Sequence, residues 1–282
     1  MKSQAEKADE FRALHDRKRT LVLPNAWDVA SARLFEDEGF PAVATSSAGV
    51  MVSLGYPDGE EIGIEELASV VGRIARMLTV PLSADVVGGF GETPSDVAKS
   101  VGKVIASGAV GVNIEDFVHA TKTLMPLENQ LARLRAVKDL QRTTGVPFVI
   151  NARTDAFRFA PGEQDLRLNE SIRRGIAYRD AGADCVYPMG LVDAGSIAAY
   201  LQALDFPINL MVRKGLPPVA ELQRLGVARV SFGPSASYAA MGLLKRASRE
   251  VLEKGTYDLL TEGAITFDEL NALAAPKKTE SQ

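Results

Sequence analysis

Two acids in this sequence stand where a short apolar run gives way to a loop, and a third lies within a loop. Asp85 ends PLSAD, Glu115 ends GVNIE, and Asp58 lies in LGYPDGEE. Carboxylates brought together at strand ends form an oxygen-only nest for a hard cation such as Mg²⁺, which keeps several waters and needs few direct protein ligands. Two of them have a plainer reading: Asp85 as a helix cap or loop bracket, Asp58 as part of a Y-P-D-G turn. Arg153, in NARTDAF, would stand at the end of a later strand, too deep for a routine solvated arginine. A guanidinium there suits two-pronged capture of a carboxylate or phosphonate, the alternative being a salt bridge to Asp155 or Glu115. Ser46 and Ser47, in ATSSAGV, offer hydroxyls and backbone N–H groups that would hold a substrate carboxylate or simply open a loop. The two histidines are His15, near the charged N-terminus, and His119, just past Glu115. No Ser-His-Asp or Cys-His set can be assembled from them, and ligands for zinc are lacking. The single cysteine, Cys185, falls inside an apolar run and reads as an inert buried thiol.

These side chains need a frame that brings distant segments together. Short runs at 20–23, 42–45, 81–85, 111–115, 148–152, 185–188, 208–211 and 229–232 are apolar almost throughout, as strands buried on both faces are. Amphipathic stretches separate them; in residues 127–143, Leu131, Leu134, Val137 and Leu140 share one stripe. About eight successive βα units predict a closed (β/α)8 barrel, with an open doubly wound sheet as the competitor. The barrel is favoured because no G-x-G-x-x-G follows the first strand. In addition, Asn25, Ser46, Asp85, Glu115, Arg153 and Asn209 all fall near strand ends that a barrel gathers at one mouth. The whole chain, 1–282, reads as one such domain. An N-terminal helix is expected over 1–18, extra helices that pack on a partner over about 237–274, and a flexible tail over 275–282.

Composition sets the class. With 46% hydrophobic and 24% charged residues the chain can bury a large core. Lys plus Arg number 32 against 36 Asp plus Glu, so no basic footprint calls for nucleic acid or an anionic membrane. One cysteine, a charged N-terminus without an apolar leader and no apolar run of membrane-spanning length predict a cytoplasmic protein.

In order and spacing, LPNAWDVASARLFEDEGFPAVATSS, LGYPDGE, SADVVGGFG, GVNIED, FVINARTDAF, AGADCVYPMG and GVARVSFGP together resemble the isocitrate lyase/phosphoenolpyruvate mutase superfamily across nearly the whole chain. The resemblance implies an α/β barrel whose last helix is exchanged with a partner subunit, in a homotetrameric dimer of dimers. It implies Mg²⁺, with Mn²⁺ a possible substitute, held chiefly by Asp85, with Asp58 and Glu115 acting through metal-bound water. Ser46, Ser47 and Ala48 match the positions that hold the substrate carboxylate, Arg153 matches the arginine at its other end, and Asn209 joins them at the mouth.

This chain also departs from the family. Val87 stands where a second acid is usual, and the loop FVHATKTL has neither the lyase cysteine stretch nor the mutase K-x-N-S. Met189 stands in place of a lyase glutamate and VRKG in place of T-E-F-G. The catalytic candidates are therefore Asp58, Arg153, and His119 or Lys122 as general acid. The expected activity is a Mg²⁺-dependent lyase that cleaves or decarboxylates a small α-oxo or α-hydroxy carboxylic acid of oxaloacetate type. A phosphoenolpyruvate-mutase-like P–C or phosphoryl-transfer enzyme and a non-catalytic acid-binding barrel are the competing expectations.

Overall fold

The computed structural model describes residues 2–275, so most of the tail expected over 275–282 lies outside the described residues. The first strand is split at Pro24, which has no N–H for a ladder, into β1 (Leu21–Leu23) and β2 (Asn25–Ala26). Then come β3 (Val43–Thr45), β4 (Leu82–Asp85) and β5 (Gly111–Glu115). A short antiparallel hairpin follows, β6 (Phe117–Val118) with β7 (Thr123–Leu124). The remaining strands are β8 (Val149–Thr154), β9 (Cys185–Pro188), β10 (Asn209–Met211) and β11 (Arg229–Ser231).

Parallel pairing runs β2-β3-β4-β5-β8-β9 on one side and β1-β11-β10 on the other. A bridge from Val186 to Ile208 joins β9 to β10, and Leu21 in register with Arg229 joins the last strand to the first. The ring is therefore closed, and the open-sheet alternative, which would leave two strand edges bare, is excluded. All eight expected strands are present. The hairpin was not expected, because two-residue strands carry too little periodicity to read.

Closure works because the wall is apolar on its outer face. Val112 and Ile114 of β5, Ile150 of β8 and Leu210 of β10 are fully buried in one core cluster with the surrounding helices. The helix Leu127–Thr144 buries Leu131, Leu134 and Val137 as its stripe predicts, each contributing roughly 1.5–3 kcal/mol. The N-terminal helix is Gln4–Ala13, shorter than the expected 1–18, started by a Ser3–Glu6 capping box. Its Phe11 plugs the barrel floor so tightly that a Cβ on Gly111 would lie 2.6 Å from the ring.

The C-terminal segment forms three helices, Ser235–Lys254, Asp258–Thr261 and Phe267–Ala274. They carry exposed apolar side chains, among them Met241, Leu252, Phe267 and Leu270. The last helix packs against Val29–Asp37 of the same chain. No helix among the described residues is long and apolar enough to cross a membrane.

Candidate active site

Because strand side chains alternate, residues two apart share a face. Ser83 and Asp85, Asn113 and Glu115, Asn151 and Arg153, and Arg229 and Ser231 are such pairs, and they turn into the barrel. Of these, Ser83, Asp85, Asn113, Arg153, Arg229 and Ser231 border a cavity of about 520 Å³ at the C-terminal ends of the strands, while Glu115 and Asn151 stand behind its lining. Asn25, Ser46, Ser47, Ala48, Asp58, Asp85, His119, Arg153 and Asn209 all line it.

Asp85 is held from three directions. The N–H groups of Ser47 and Val87 donate to its two oxygens at 3.2 and 3.3 Å, and Asn113 Nδ2 donates at 3.0 Å. Asn113 in turn accepts from Asn151 Nδ2 at 2.8 Å, so an asparagine relay spans three strands to aim one carboxylate. Sequence reasoning missed both asparagines, although the two-residue offset from Glu115 and Arg153 would have exposed them. The loop after Asp85 is bent hard: Val87 sits at φ +51° and Phe90 at +53°, where a β-branched residue is a genuine outlier. A Cβ on Gly91 would lie 2.6 Å from Val97 N, so only glycine lets the loop fold back on the next helix. The Val87 side chain is buried in the core cluster and leaves the cavity without the second acid.

Asp58, from the loop before residue 64, has a carboxyl pushed above its ordinary range by the surrounding protein and by the charge of Asp85, with the Ser47 hydroxyl opposing. Neither Asp58 nor Asp85 has an ion-pair partner among the described residues. Two neighbouring acids without a cation are a donor set that fits one hard divalent ion, held by a carboxylate and water. The nest of three acids is not formed: no group of three or more His, Cys, Asp or Glu side chains is gathered for a metal among the described residues. Glu115 is the missing member. It is 2% exposed and accepts from His119 Nε2 at Oε1 and from Arg153 Nη1 at Oε2, each at 2.6 Å. Burial pushes its carboxyl up against the pull of these two donors.

Arg153 realises the salt-bridge alternative. Besides Glu115 it grips Asp155 with Nε at 2.7 Å and Nη2 at 3.1 Å, and still borders the cavity. Burial works against its charge, but Glu115 and Asp155 more than offset it. The hydrogen bond to Glu115 raises His119 above the ordinary imidazole value, so the ring holds its proton more tightly. Ser46 follows its plainer reading as well: it caps the helix Ser47–Ser53, accepting from Gly49 N at 3.3 Å. Asn209 donates to Ser231 Oγ at 3.0 Å. Lys122 is not brought to the site. It is exposed at the hairpin turn and does not border the cavity.

Asp116, next to Glu115, was also missed. Fully buried behind the wall, it accepts from Tyr178 OH at 2.6 Å, Thr154 Oγ1 at 2.8 Å, Asp155 N at 2.9 Å and Arg174 Nη1 at 3.0 Å. This network ties the ends of β5 and β8 to the helix Gln164–Asp180, and so fixes Glu115 and Arg153 at the mouth. Cys185 is inert as expected, its thiol pushed up to about 12 by burial.

A closed (β/α)8 barrel with convergent acids and a paired arginine at its C-terminal mouth defines an α/β-barrel enzyme site. The model of the family described as phosphoenolpyruvate phosphomutase matches residues 11–252. A Burkholderia cenocepacia J2315 structure provisionally assigned as a lyase/mutase is 36% identical with a TM-score of 0.89, covering 97% of this chain and 98% of that one. Oxaloacetate decarboxylase of Pseudomonas aeruginosa is 30% identical over 280 residues, 95% of this chain and 89% of its own. The structure of oxaloacetate acetylhydrolase with its product oxalate is 28% identical with a TM-score of 0.83, covering 95% and 93%. The chain belongs to the isocitrate lyase/phosphoenolpyruvate mutase superfamily and is an enzyme of it.

Proposed function

We propose that this enzyme is a Mg²⁺-dependent carbon–carbon lyase acting on a small α-oxo or α-hydroxy carboxylate of oxaloacetate type. The observation that carries the reading is the pair Asp58 and Asp85, neighbouring and without an ion-pair partner among the described residues, in the same cavity as Ser47, Ala48 and Arg153. Mg²⁺, held by Asp85 directly and by Asp58 through water, would supply Lewis-acid stabilisation of negative charge developing on the oxo oxygen. The chain's own residues do the rest. Arg153, locked by Glu115 and Asp155, presents a guanidinium whose position is already fixed before substrate arrives. His119 engages Glu115 through Nε2, and in its cationic form, which that bond favours, it would carry a second proton on Nδ1 for a carbanion at the mouth.

Loss of CO₂ needs a weaker acid than aldol cleavage, which suits a hairpin loop that carries His119 and no cysteine. The same reading takes the apolar side chains exposed on the three C-terminal helices as the face on which a second copy packs.

The test is calorimetric titration of oxalate, a planar enolate mimic, with and without Mg²⁺, on the parent and on Asp85→Ala. Binding that requires Mg²⁺ and weakens by at least about a hundredfold in the variant is expected. Oxalate binding that is indifferent to Mg²⁺, or that survives in Asp85→Ala, would sink the metal reading.

A further inference from the structure

Every buried arginine of the site region has an acid beside it except one. Arg153 has Glu115 and Asp155, and Arg174 has Asp116 and Glu170. Arg229, the first residue of β11, is 2% exposed. Its Nε and Nη1 are sealed from solvent with no hydrogen-bond partner, and it takes part in no ion pair among the described residues. It reaches into the barrel from below Ser231 on the same face and borders the cavity at its floor.

No acid pairs with it: the one carboxylate named among the charges that act on it, Asp85, makes no ion pair with it and is engaged by Ser47, Val87 and Asn113. The Cys185 thiol and the Tyr187 phenol lie nearby, but burial holds both in their protonated forms. The Phe11 ring lies 6.0 Å from the guanidinium and offers only its π-face. An unpaired guanidinium inside a protein is costly, and the cost is recovered when an anion arrives. Around it the floor is polar. Asn209, its register partner on β10, leaves Oδ1 buried and unbonded, while Ser231 Oγ accepts from Asn209 and so keeps its own proton free to donate.

We infer that Arg229, with the Ser231 hydroxyl, forms a carboxylate subsite on the barrel floor that takes the second acid group of a dicarboxylate whose first acid group sits at the Asp85 end. Asn209 Oδ1 then accepts from a hydroxyl of the ligand or from a water carried in with it. The inference rests on the metal-site reading for the position of the first carboxylate, and it selects four-carbon diacids over monoacids of equal length. Arg229 is thereby a specificity residue, distinct from Arg153, whose charge the chain has already neutralised.

The probes are oxalate, succinate and butyrate, titrated with Mg²⁺ into the parent, Arg229→Met and Arg229→Lys, with melting temperatures recorded without ligand. The parent is expected to prefer succinate to butyrate by at least about tenfold, the worth of one charge-assisted pair. Arg229→Met erases that preference, leaves oxalate within about twofold, and melts no lower than the parent because an unpaired charge has been removed. Unchanged succinate binding in Arg229→Met overturns the inference. So does equal loss of oxalate and succinate, or a much lower melting temperature, since Arg229 would then act through the fold.

Should Arg229→Met fail to fold, Arg229→Lys decides. Its single-pronged charge is expected to weaken succinate while sparing oxalate, and an unchanged preference overturns the proposal. Titrated chloride separates a small inorganic anion from the substrate carboxylate. Competition with succinate alone supports the floor subsite, whereas Arg229-dependent chloride binding that leaves succinate untouched overturns the substrate assignment. If oxalate fails to bind but succinate binding still depends on Arg229, the metal reading falls and the floor subsite stands. If neither binds, both fall.

Discussion

At the mouth of the barrel, Asp58 and Asp85 lie close enough for one to raise the other, and neither has an ion-pair partner among the described residues. Behind the same wall, Asp116 is fully buried and takes four donors, one of them the Arg174 guanidinium. The two regions use the same side chain for opposite ends. A carboxylate surrounded by its own chain's donors is finished, and its energy goes into holding β5, β8 and a helix together. A carboxylate left open to a cavity is unfinished, and its energy is released only when a ligand binds. The floor adds a third fate: His15, buried against Arg229, is kept neutral, its pKa lowered to about 4 by burial and by that arginine.

The largest effect is expected on stability at the finished end. Asp116→Ala should cost about 2–4 kcal/mol, because it takes one of two acids from the buried Arg174 guanidinium, which keeps Glu170, and leaves the Tyr178 and Thr154 hydroxyls without their acceptor. Asp85→Ala, whose donors can turn to cavity water, should cost less than about 1 kcal/mol. Urea denaturation of the two variants compares them directly, and equal losses would erase the distinction between the regions.

The floor gives the next effect. Above pH 6.5 His15 is neutral whether the chain is folded or not, and it contributes nothing. As pH falls from 6.5 toward about 4, only the unfolded chain accepts the proton, so stability is lost, by about 2–3 kcal/mol at the lower limit. Asp184 and the Phe11 carbonyl oppose the shift and Arg12 adds to it. His15→Leu should flatten this acid limb in denaturant midpoints measured at pH 7 and pH 4.5. A limb as steep as the parent's would assign the acid sensitivity elsewhere.

The smallest effect belongs to the hairpin. His119 is tied to Glu115, whereas Lys122 stands exposed at the turn. With oxaloacetate and Mg²⁺, His119→Gln should slow turnover by about 10²-fold, and Lys122→Ala by no more than about twofold. A large loss in Lys122→Ala would mean that the hairpin closes on the substrate and would favour phosphoryl chemistry.

Much of this site was legible because a parallel barrel is a simple machine for reading. Apolar runs announce the strands, and the polar residue at the end of each marks the mouth. Asp85, Ser47 and Arg153 were found this way, and Asp58, in a loop, through the family resemblance. Asn113, Asn151 and Arg229 were not, because they sit inside runs that read as strand; the two-residue offset from Glu115 and Arg153 would have marked the two asparagines, whereas nothing in its own run labels Arg229 as inward or outward. Only the register decides that. Glu115 shows the limit from the other side: its type and place suggested a metal ligand, but whether its oxygens are free depends on Arg153 and His119, which arrive from a distant strand and from the hairpin.

The sequence by itself determined the barrel, the direction in which its chemistry faces and the superfamily to which it belongs, since these follow from periodicity, composition and local motifs. Tertiary structure decided which charges are neutralised by the chain and which are left for a ligand. The pairing that decides Arg153 is a matter of distance between residues far apart in the chain, 2.6 Å from its Nη1 to Glu115, and no spacing along the sequence encodes it.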